Sequence, residues 1–140
     1  MGRASGVLMA VSSLPNSYGI GTFGKEAYDF IDFLVRTKQR YWQVLPLTTT
    51  SYGDSPYQSF SAAAGSPYYI DLKALEKLGY LKSDDFEDIS FGTSNTCVDY
   101  GALFVNHRRL LNRAFDRFMQ DIPADFEKFC HDHAEWLDPY

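Results

Sequence analysis

One loop of this sequence combines aromatic and polar residues whose types could do chemistry. Residues 51–61 read Ser-Tyr-Gly-Asp-Ser-Pro-Tyr-Gln-Ser-Phe-Ser. The candidate contact residues in it are Tyr57 and the flanking Asp54, Ser55 and Gln58, whereas Tyr52 taken alone is typical of a half-buried packing residue. An aromatic ring can lie on the apolar C–H face of a sugar, while hydroxyl, carboxylate and amide groups bond to the sugar hydroxyls. The combination suits a neutral carbohydrate, although aromatic residues serve equally well in cores and interfaces.

The sequence gives little support for a pair of catalytic carboxylates or for a metal site. Glycoside cleavage needs two carboxyl groups facing the bond from opposite sides, and Asp54 is the one carboxylate near the loop. We interpret it mainly as a turn-stabilising residue. His131 and His133 flank Asp132, but adjacent alternating side chains on a helix point to different faces and no third ligand is evident. A solvated polar turn is predicted there, and no metal or organic cofactor is expected.

The charge balance disfavours several classes of partner. A formal net charge of −5 and a pI near 5.0 give no electrostatic reason to expect nucleic acid or an anionic membrane. No apolar run approaches membrane-spanning length, and residues 12–15 make a poor signal-peptide cleavage site. Cys97 and Cys130 form neither a CxxC pair nor a disulfide framework. We therefore expect a cytoplasmic protein with free thiols and a neutral ligand.

A strand, a helix and a second strand must position the loop. Gly6 to Val11 is a continuous apolar run that predicts a strand buried on both faces. Apolar residues then recur at helical spacing between Ala27 and Leu34, and Tyr41 to Leu45 forms a second β-prone run before Pro46. Two parallel strands joined by a helix are the building block of α/β barrels and doubly wound sheets. The lack of a GxGxxG motif between them disfavours a nucleotide-binding sheet.

The rest of the chain is predicted to be mainly helical. A short helix over 71–78 has Asp71 as a plausible N-cap. Apolar residues from Leu103 to Phe118 mark one face of a longer helix, and those from Phe126 to Ala134 mark another. Because His107 falls on the apolar stripe of the longer helix, we predict a hydrogen-bonded core histidine. The residues interpreted as a solvated face of that helix are Arg108, Arg109, Arg113 and Arg117.

Several motifs carry a resemblance to a known family. Residues 41–47, Tyr-Trp-Gln-Val-Leu-Pro-Leu, followed by residues 51–62, closely resemble the amylomaltase signature of the 4-α-glucanotransferases. Residues 12–21, 65–72 and 98–100 fit the same family in the same order. The resemblance spans most of the chain.

The resemblance implies a fold and an activity. The fold class would be α/β, a partial (β/α)8 barrel containing the first βαβ unit, with a mainly helical insertion after the second strand. Residues 1–70 would begin the catalytic barrel with its substrate-binding loop, and residues 71–140 would form the insertion subdomain, truncated at the C-terminus. The activity would be transfer of α-1,4-glucan segments between malto-oligosaccharides, or starch- and glycogen-type glucans, by a retaining mechanism.

The resemblance also implies roles for individual residues. Independently of the resemblance, the loops after the strands of an α/β barrel form its catalytic face, so topology predicts that residues 52–61 line the substrate cleft and meet the loop at 12–21. The expected substrate-contacting residues are Tyr57, Ser55, Asp54, Gln58, Tyr52 and Tyr100. Of these, Tyr57 matches the family's tyrosine at the subsite where the bond is broken. Tyr52 and Tyr100 match positions near an additional glucan-binding groove.

None of the family's catalytic groups matches a residue of this chain. The aspartate nucleophile, the glutamate acid/base and the second aspartate come from later barrel strands. The chain alone is therefore expected to be inactive, as the N-terminal part of a longer enzyme. Two alternatives stay open: an α-glucan hydrolase on a related barrel, and a non-catalytic glucan-binding module.

Overall fold

Two short strands and five helices make up the regular structure of residues 2–94 and 96–140, the part that the computed structural model describes. The strands are β1 (Gly6–Leu8) and β2 (Tyr41–Gln43). The helices are α1 (Lys25–Arg36), α2 (Leu72–Lys77), α3 (Tyr100–Phe118), α4 (Phe126–Asp132) and α5 (Ala134–Leu137). Three 3-10 turns lie at Val11–Ser13, Pro67–Tyr69 and Ser83–Phe86.

The two strands run parallel and are joined through α1. Gly6 pairs with Tyr41 and Leu8 with Gln43. A Cβ atom on Gly6 would lie 2.5 Å from the Tyr41 carbonyl oxygen, so the close approach of the strands requires a glycine there. The predicted strand, helix, parallel strand order is confirmed.

Helix α1 packs on one face of the strand pair. Phe30 meets Trp42 edge-on, with ring centroids 4.9 Å apart. The Trp42 indole N–H donates to the Met9 carbonyl oxygen at 2.8 Å, so this side chain also ties β2 to the end of β1. Ala27 is buried in the same cluster. Trp42 is therefore a packing residue between strand and helix.

The strands are shorter and more exposed than the sequence predicts. Each has three residues, and Val11, expected at the end of the first strand, already belongs to a 3-10 turn. Leu8 is 60% exposed and Tyr41 65% exposed. Side chains alternate between the faces of a strand, and α1 covers only the face that carries Trp42. The described residues therefore bury the strands on one face only, and burial on the second face stays a prediction for the longer protein.

A second hydrophobic cluster lies under α2 and α3. Its buried members are Leu72, Leu81, Leu110 and Ala114. Asp71 caps α2 as predicted, because its Oδ1 atom accepts a hydrogen bond from the Ala74 backbone N–H at 2.7 Å. Its other oxygen accepts from the Thr22 hydroxyl at 2.7 Å. One carboxylate thus starts α2 and connects it to the loop before α1.

An ion pair fixes α3 to the 3-10 turn at Ser83–Phe86. The two terminal guanidinium nitrogens of Arg117, Nη1 and Nη2, donate to the Asp85 carboxylate, at 2.5 and 3.0 Å. The hydrogen bond from Arg117 lowers the pKa of Asp85 to about 2. Arg113 donates to the Asp85 carbonyl oxygen at 2.6 Å. The interpretation of α3 as carrying a solvated arginine face is therefore wrong for these two arginines.

Candidate functional site

The predicted substrate loop is closed by backbone hydrogen bonds. The Ser51 N–H donates to the Gln58 carbonyl oxygen at 3.0 Å, and the Asp54 N–H donates to the Ser51 carbonyl oxygen at 3.1 Å. Gly53 and Asp54 have φ angles of 94° and 55°. Glycine adopts this left-handed region freely and aspartate tolerates it. The turn predicted around Asp54 is present.

The two ends of the loop are held together. Thr48 and Gly65 form an antiparallel bridge, and the Ser66 N–H donates to the Leu47 carbonyl oxygen at 2.8 Å. The segment between Thr48 and Gly65 therefore starts and ends at neighbouring points of the chain beyond β2. The base of the loop is thereby closed beyond the carboxyl end of β2.

A cleft of about 1190 Å³ separates this loop from α3. We call it the α3 cleft. One wall is the 49–54 segment, and the opposite wall is α3 from Tyr100 to Asn112. The aromatic residues that line it are Tyr52, Phe60, Tyr68, Tyr100, Phe104 and Tyr140. Asp54, Arg108 and Asn112 add polar groups. Apolar ring faces with hydrogen-bonding groups between them match the surface of a sugar.

Three of the six predicted contact residues line this cleft: Tyr52, Asp54 and Tyr100. Tyr52 is 99% exposed, so its ring is free to stack on a ligand. The other three, Tyr57, Ser55 and Gln58, belong to the same loop but not to the lining of the cleft. Tyr57 is 75% exposed. The loop therefore presents two separate groups of candidate residues.

Tyr68 lines the α3 cleft, although the sequence gives no pattern that singles it out. Its ring meets those of Tyr100 and His107 edge-on, with centroids 6.2 and 5.8 Å away. Burial raises the pKa of the Tyr68 and Tyr100 hydroxyls, and the nearby Asp54 carboxylate raises both further. Both phenols therefore remain protonated and able to donate. The one available signal is the Ser66-Pro67 start of the 3-10 turn that carries Tyr68.

His107 lies fully buried beside the α3 cleft. It has no exposed surface, and neither ring nitrogen has a hydrogen-bond partner among the described residues. Burial lowers the pKa of the imidazole to about 4, so the ring is neutral at pH 7. The predicted core position is confirmed. The predicted hydrogen bond is wrong for the described part of the chain, because the ring is surrounded by side chains such as Tyr68 that leave both nitrogens unpaired.

The loop after β1 lines a different cavity. Residues 12–17 and 19–20 face residues 91–92, 94 and 96–98 across a space of about 830 Å³. Tyr100 lines both this cavity and the α3 cleft. The two loops thus line two cavities that share Tyr100, and the expectation that the loops at 12–21 and 52–61 touch and form one joint cleft stays a prediction.

The described residues contain no group of three or more His, Cys, Asp and Glu side chains that could hold a metal ion. The His131 side chain is 90% exposed, with its Nδ1 atom 3.5 Å from Asp132. His133 packs on Phe129 at 4.6 Å between ring centroids. Over the same part of the chain, no helix is both long and apolar enough to cross a membrane.

Asp54 is the one carboxylate among the described residues that line the α3 cleft. Glycoside cleavage needs two carboxyl groups, so this surface can bind and orient a sugar but lacks the groups to break a glycosidic bond. A parallel strand pair with a crossover helix, followed by a cleft lined with aromatic and polar side chains, defines an α/β protein whose cleft has the chemistry to accept a sugar.

Comparison with known proteins gives the family. Residues 9–140 match the family model described as 4-alpha-glucanotransferase, and the chain belongs to this family. A 4-alpha-glucanotransferase of Streptococcus pneumoniae serotype 4 is 56% identical over 138 residues, covering 97% of this chain and 27% of the relative. The Thermus thermophilus 4-alpha-glucanotransferase is 46% identical over 142 residues, covering 99% and 27%. The resemblance predicted from the motifs is confirmed.

A solved structure shows the same fold. The amylomaltase from Streptococcus agalactiae in complex with acarbose superposes with a TM-score of 0.89 at 50% identity. The match covers 95% of this chain and 27% of the amylomaltase chain. The α/β fold of the described residues is thus that of one part of an amylomaltase, and the chain spans about 27% of the length of these relatives.

Proposed function

We propose that this chain is the N-terminal part of an enzyme that transfers α-1,4-glucan segments between malto-oligosaccharides or starch- and glycogen-type glucans, with retention at the anomeric carbon. The observation that carries the proposal is the match of residues 9–140 to the 4-alpha-glucanotransferase family. The relatives bear that name, and the solved amylomaltase holds acarbose. A cytoplasmic location is part of the proposal.

The proposal gives residues 1–70 to the start of a (β/α)8 barrel and residues 71–140 to a mainly helical insertion. The parallel pairing of β1 and β2 supports the first part. The helices α2 to α5 support the second. In such a barrel, loops at the carboxyl ends of the strands surround the substrate. The loop at 51–58 follows β2 in the required position.

The residues of this chain bind and orient the glucan in this proposal. Tyr57, with Ser55 and Gln58 beside it, contacts the sugar at the bond that is broken. Tyr52 and Tyr100 contact a more distant part of the chain in the α3 cleft, where the lining supports stacking. The nucleophile and the acid/base belong to parts of the protein outside this chain.

Incubation of the full-length protein with maltotriose tests the proposal. Separation of the products by chromatography should show glucose together with maltodextrins longer than maltotriose, and the number of reducing ends should stay constant. A rise in reducing ends without longer products would favour the α-glucan hydrolase. Binding of maltotriose without any product would favour the non-catalytic module.

A further inference from the structure

His107 is a buried polar group without a partner, placed against the α3 cleft. It borders the cleft, yet its side chain is fully buried and both ring nitrogens lack hydrogen bonds among the described residues. A buried polar group that makes no hydrogen bond costs stability, and native structures retain few of them. An apolar ring of similar shape would avoid this cost. Both ring nitrogens are therefore available to a ligand that reaches the imidazole from the cleft.

The neutral imidazole has the hydrogen-bonding capacity that a sugar hydroxyl requires. One ring nitrogen carries a proton and donates, while the other accepts. A hydroxyl group can accept from the first or donate to the second. The cleft beside the ring already carries aromatic surfaces at Tyr52 and Tyr100, which suit the C–H faces of the same sugar.

Tyr68 contacts both the imidazole and the open cleft. The Tyr68 ring stands edge-on to His107 at 5.8 Å and lines the cleft itself. Tyr68 lies on a three-residue 3-10 turn, at Pro67–Tyr69. Because this turn is short and lies outside α3, movement of the Tyr68 side chain is the change that we invoke to bring a ligand to the imidazole.

We propose that His107 is a specificity-determining residue of the α3 cleft, where it forms a hydrogen bond to a glucose hydroxyl after Tyr68 moves aside. This inference rests on the proposed glucan-binding function. It adds to the proposed contact at Tyr100 a second contact from α3, in the form of a hydrogen bond. The contact makes binding depend on a hydroxyl group at that position and not only on stacking.

The test uses the full-length protein with ¹⁵N-labelled histidine and ¹³C-labelled tyrosine rings. Maltotetraose is the probe. The signals of His107 and Tyr52 are assigned by their loss in His107→Phe and Tyr52→Phe. Wild-type protein should show the His107 nitrogen signals shifting with the same apparent Kd as the Tyr52 ring signals. A merely structural histidine would leave its nitrogen signals in place.

Substitution provides the second measurement. His107→Phe should keep or raise Tm, because it removes an unpaired buried polar group, and should weaken maltotetraose binding at Tyr52 about tenfold, the loss of one hydrogen bond. His107→Gln, which retains a donor and an acceptor, should lie closer to wild type. If Tyr52 signals move while His107 signals do not, or if His107→Phe binds with unchanged Kd, the inference is wrong. If neither moves in wild type, glucan binding by the cleft is wrong as well.

Discussion

At the scale of single residues, the turn at Gly53 and Asp54 decides which side chains can act together. The left-handed backbone of these two residues reverses the chain directly after Tyr52. Tyr52 consequently reaches the α3 cleft, whereas Tyr57, five residues later, does not belong to its lining. Asp54 contributes in two ways, because it shapes the turn and its carboxylate also borders the cleft. Tyr52 and Tyr57, which lie in the same short motif, therefore have different proposed roles.

Substitution of the three tyrosines should separate these roles. In the full-length protein, Tyr57→Ala should lower kcat on maltotriose by about a hundredfold, since misplacing the reacting sugar slows the chemical step. Tyr52→Ala and Tyr100→Ala should leave kcat nearly unchanged on maltotriose and raise KM mainly for longer maltodextrins. Steady-state kinetics with maltotriose and maltoheptaose measure both effects. Equal losses of kcat in all three variants would show that the assignment of Tyr57 is wrong.

At the scale of elements, the sequence predicts what local interactions determine. The α2 cap at Asp71 and the helix between Ala27 and Leu34 depend on neighbours within a few residues, and both are present. The Asp85–Arg117 pair joins residues 32 positions apart, so no local pattern marks it. Tyr68 is a cleft residue only because α3 lies opposite. The exposed strand faces also follow from tertiary packing, which periodicity alone does not contain.

The carboxylate of Asp71 should contribute more to stability than an ordinary helix cap. Asp71→Ala removes both the hydrogen bond that starts α2 and the bond from the buried Thr22 hydroxyl. We expect a loss of about 2–3 kcal/mol in the free energy of unfolding, the sum of a cap and of a buried hydroxyl that keeps the hydrogen bond from Asn16 but has no acceptor for its own proton. Thr22→Val is the matched control and should cost less. Denaturant unfolding of the full-length variants measures both, and equal stability of Asp71→Ala and wild type would contradict the double role.

The Asp85–Arg117 ion pair should make the free energy of unfolding depend on pH in the acid range. Its folded-state pKa of about 2 lies below the ordinary value of 3.8, so the ionised form stabilises the fold above about pH 4. This contribution, about 2 kcal/mol, is lost as the pH falls through 4 towards 2. Unfolding at a series of pH values measures it. Arg117→Met should flatten this part of the profile, whereas Lys73→Met, which removes an exposed pair, should not. An unchanged slope in Arg117→Met would show that the pair does not cause it.

At the scale of the whole molecule, apolar surface remains open on the strand side. Leu8 and Tyr41 lie on the sheet face away from α1, and Tyr28 and Val35 on α1 are each 69% exposed. The open outer edges of the two strands and the uncovered sheet face would be unfavourable in a domain that stood alone. The proposed barrel accounts for this surface, because further strands and helices would cover both sides of the pair. This chain covers 27% of the length of the Streptococcus pneumoniae relative, so the rest of such a protein is long enough to supply these strands and helices.

The chain of 140 residues by itself should not transfer glucan segments. Cleavage with retention needs a nucleophile and an acid on opposite faces of the bond. The family's nucleophile and acid/base match no residue of this chain, and Asp54 is the one carboxylate in the loop of residues 51–61 that carries Tyr57. Its backbone amide and side chain are engaged in the turn, with the Thr50 hydroxyl 3.5 Å from its Oδ1 atom. We therefore expect no glucose and no longer maltodextrins when the purified chain is incubated with maltotriose, while the full-length protein serves as positive control. If products form with the chain alone and disappear in Asp54→Asn, Asp54 is catalytic and its assignment to turn and binding is wrong. If they persist in Asp54→Asn, a carboxylate elsewhere in the chain has been overlooked, and the location of the catalytic groups outside it is wrong.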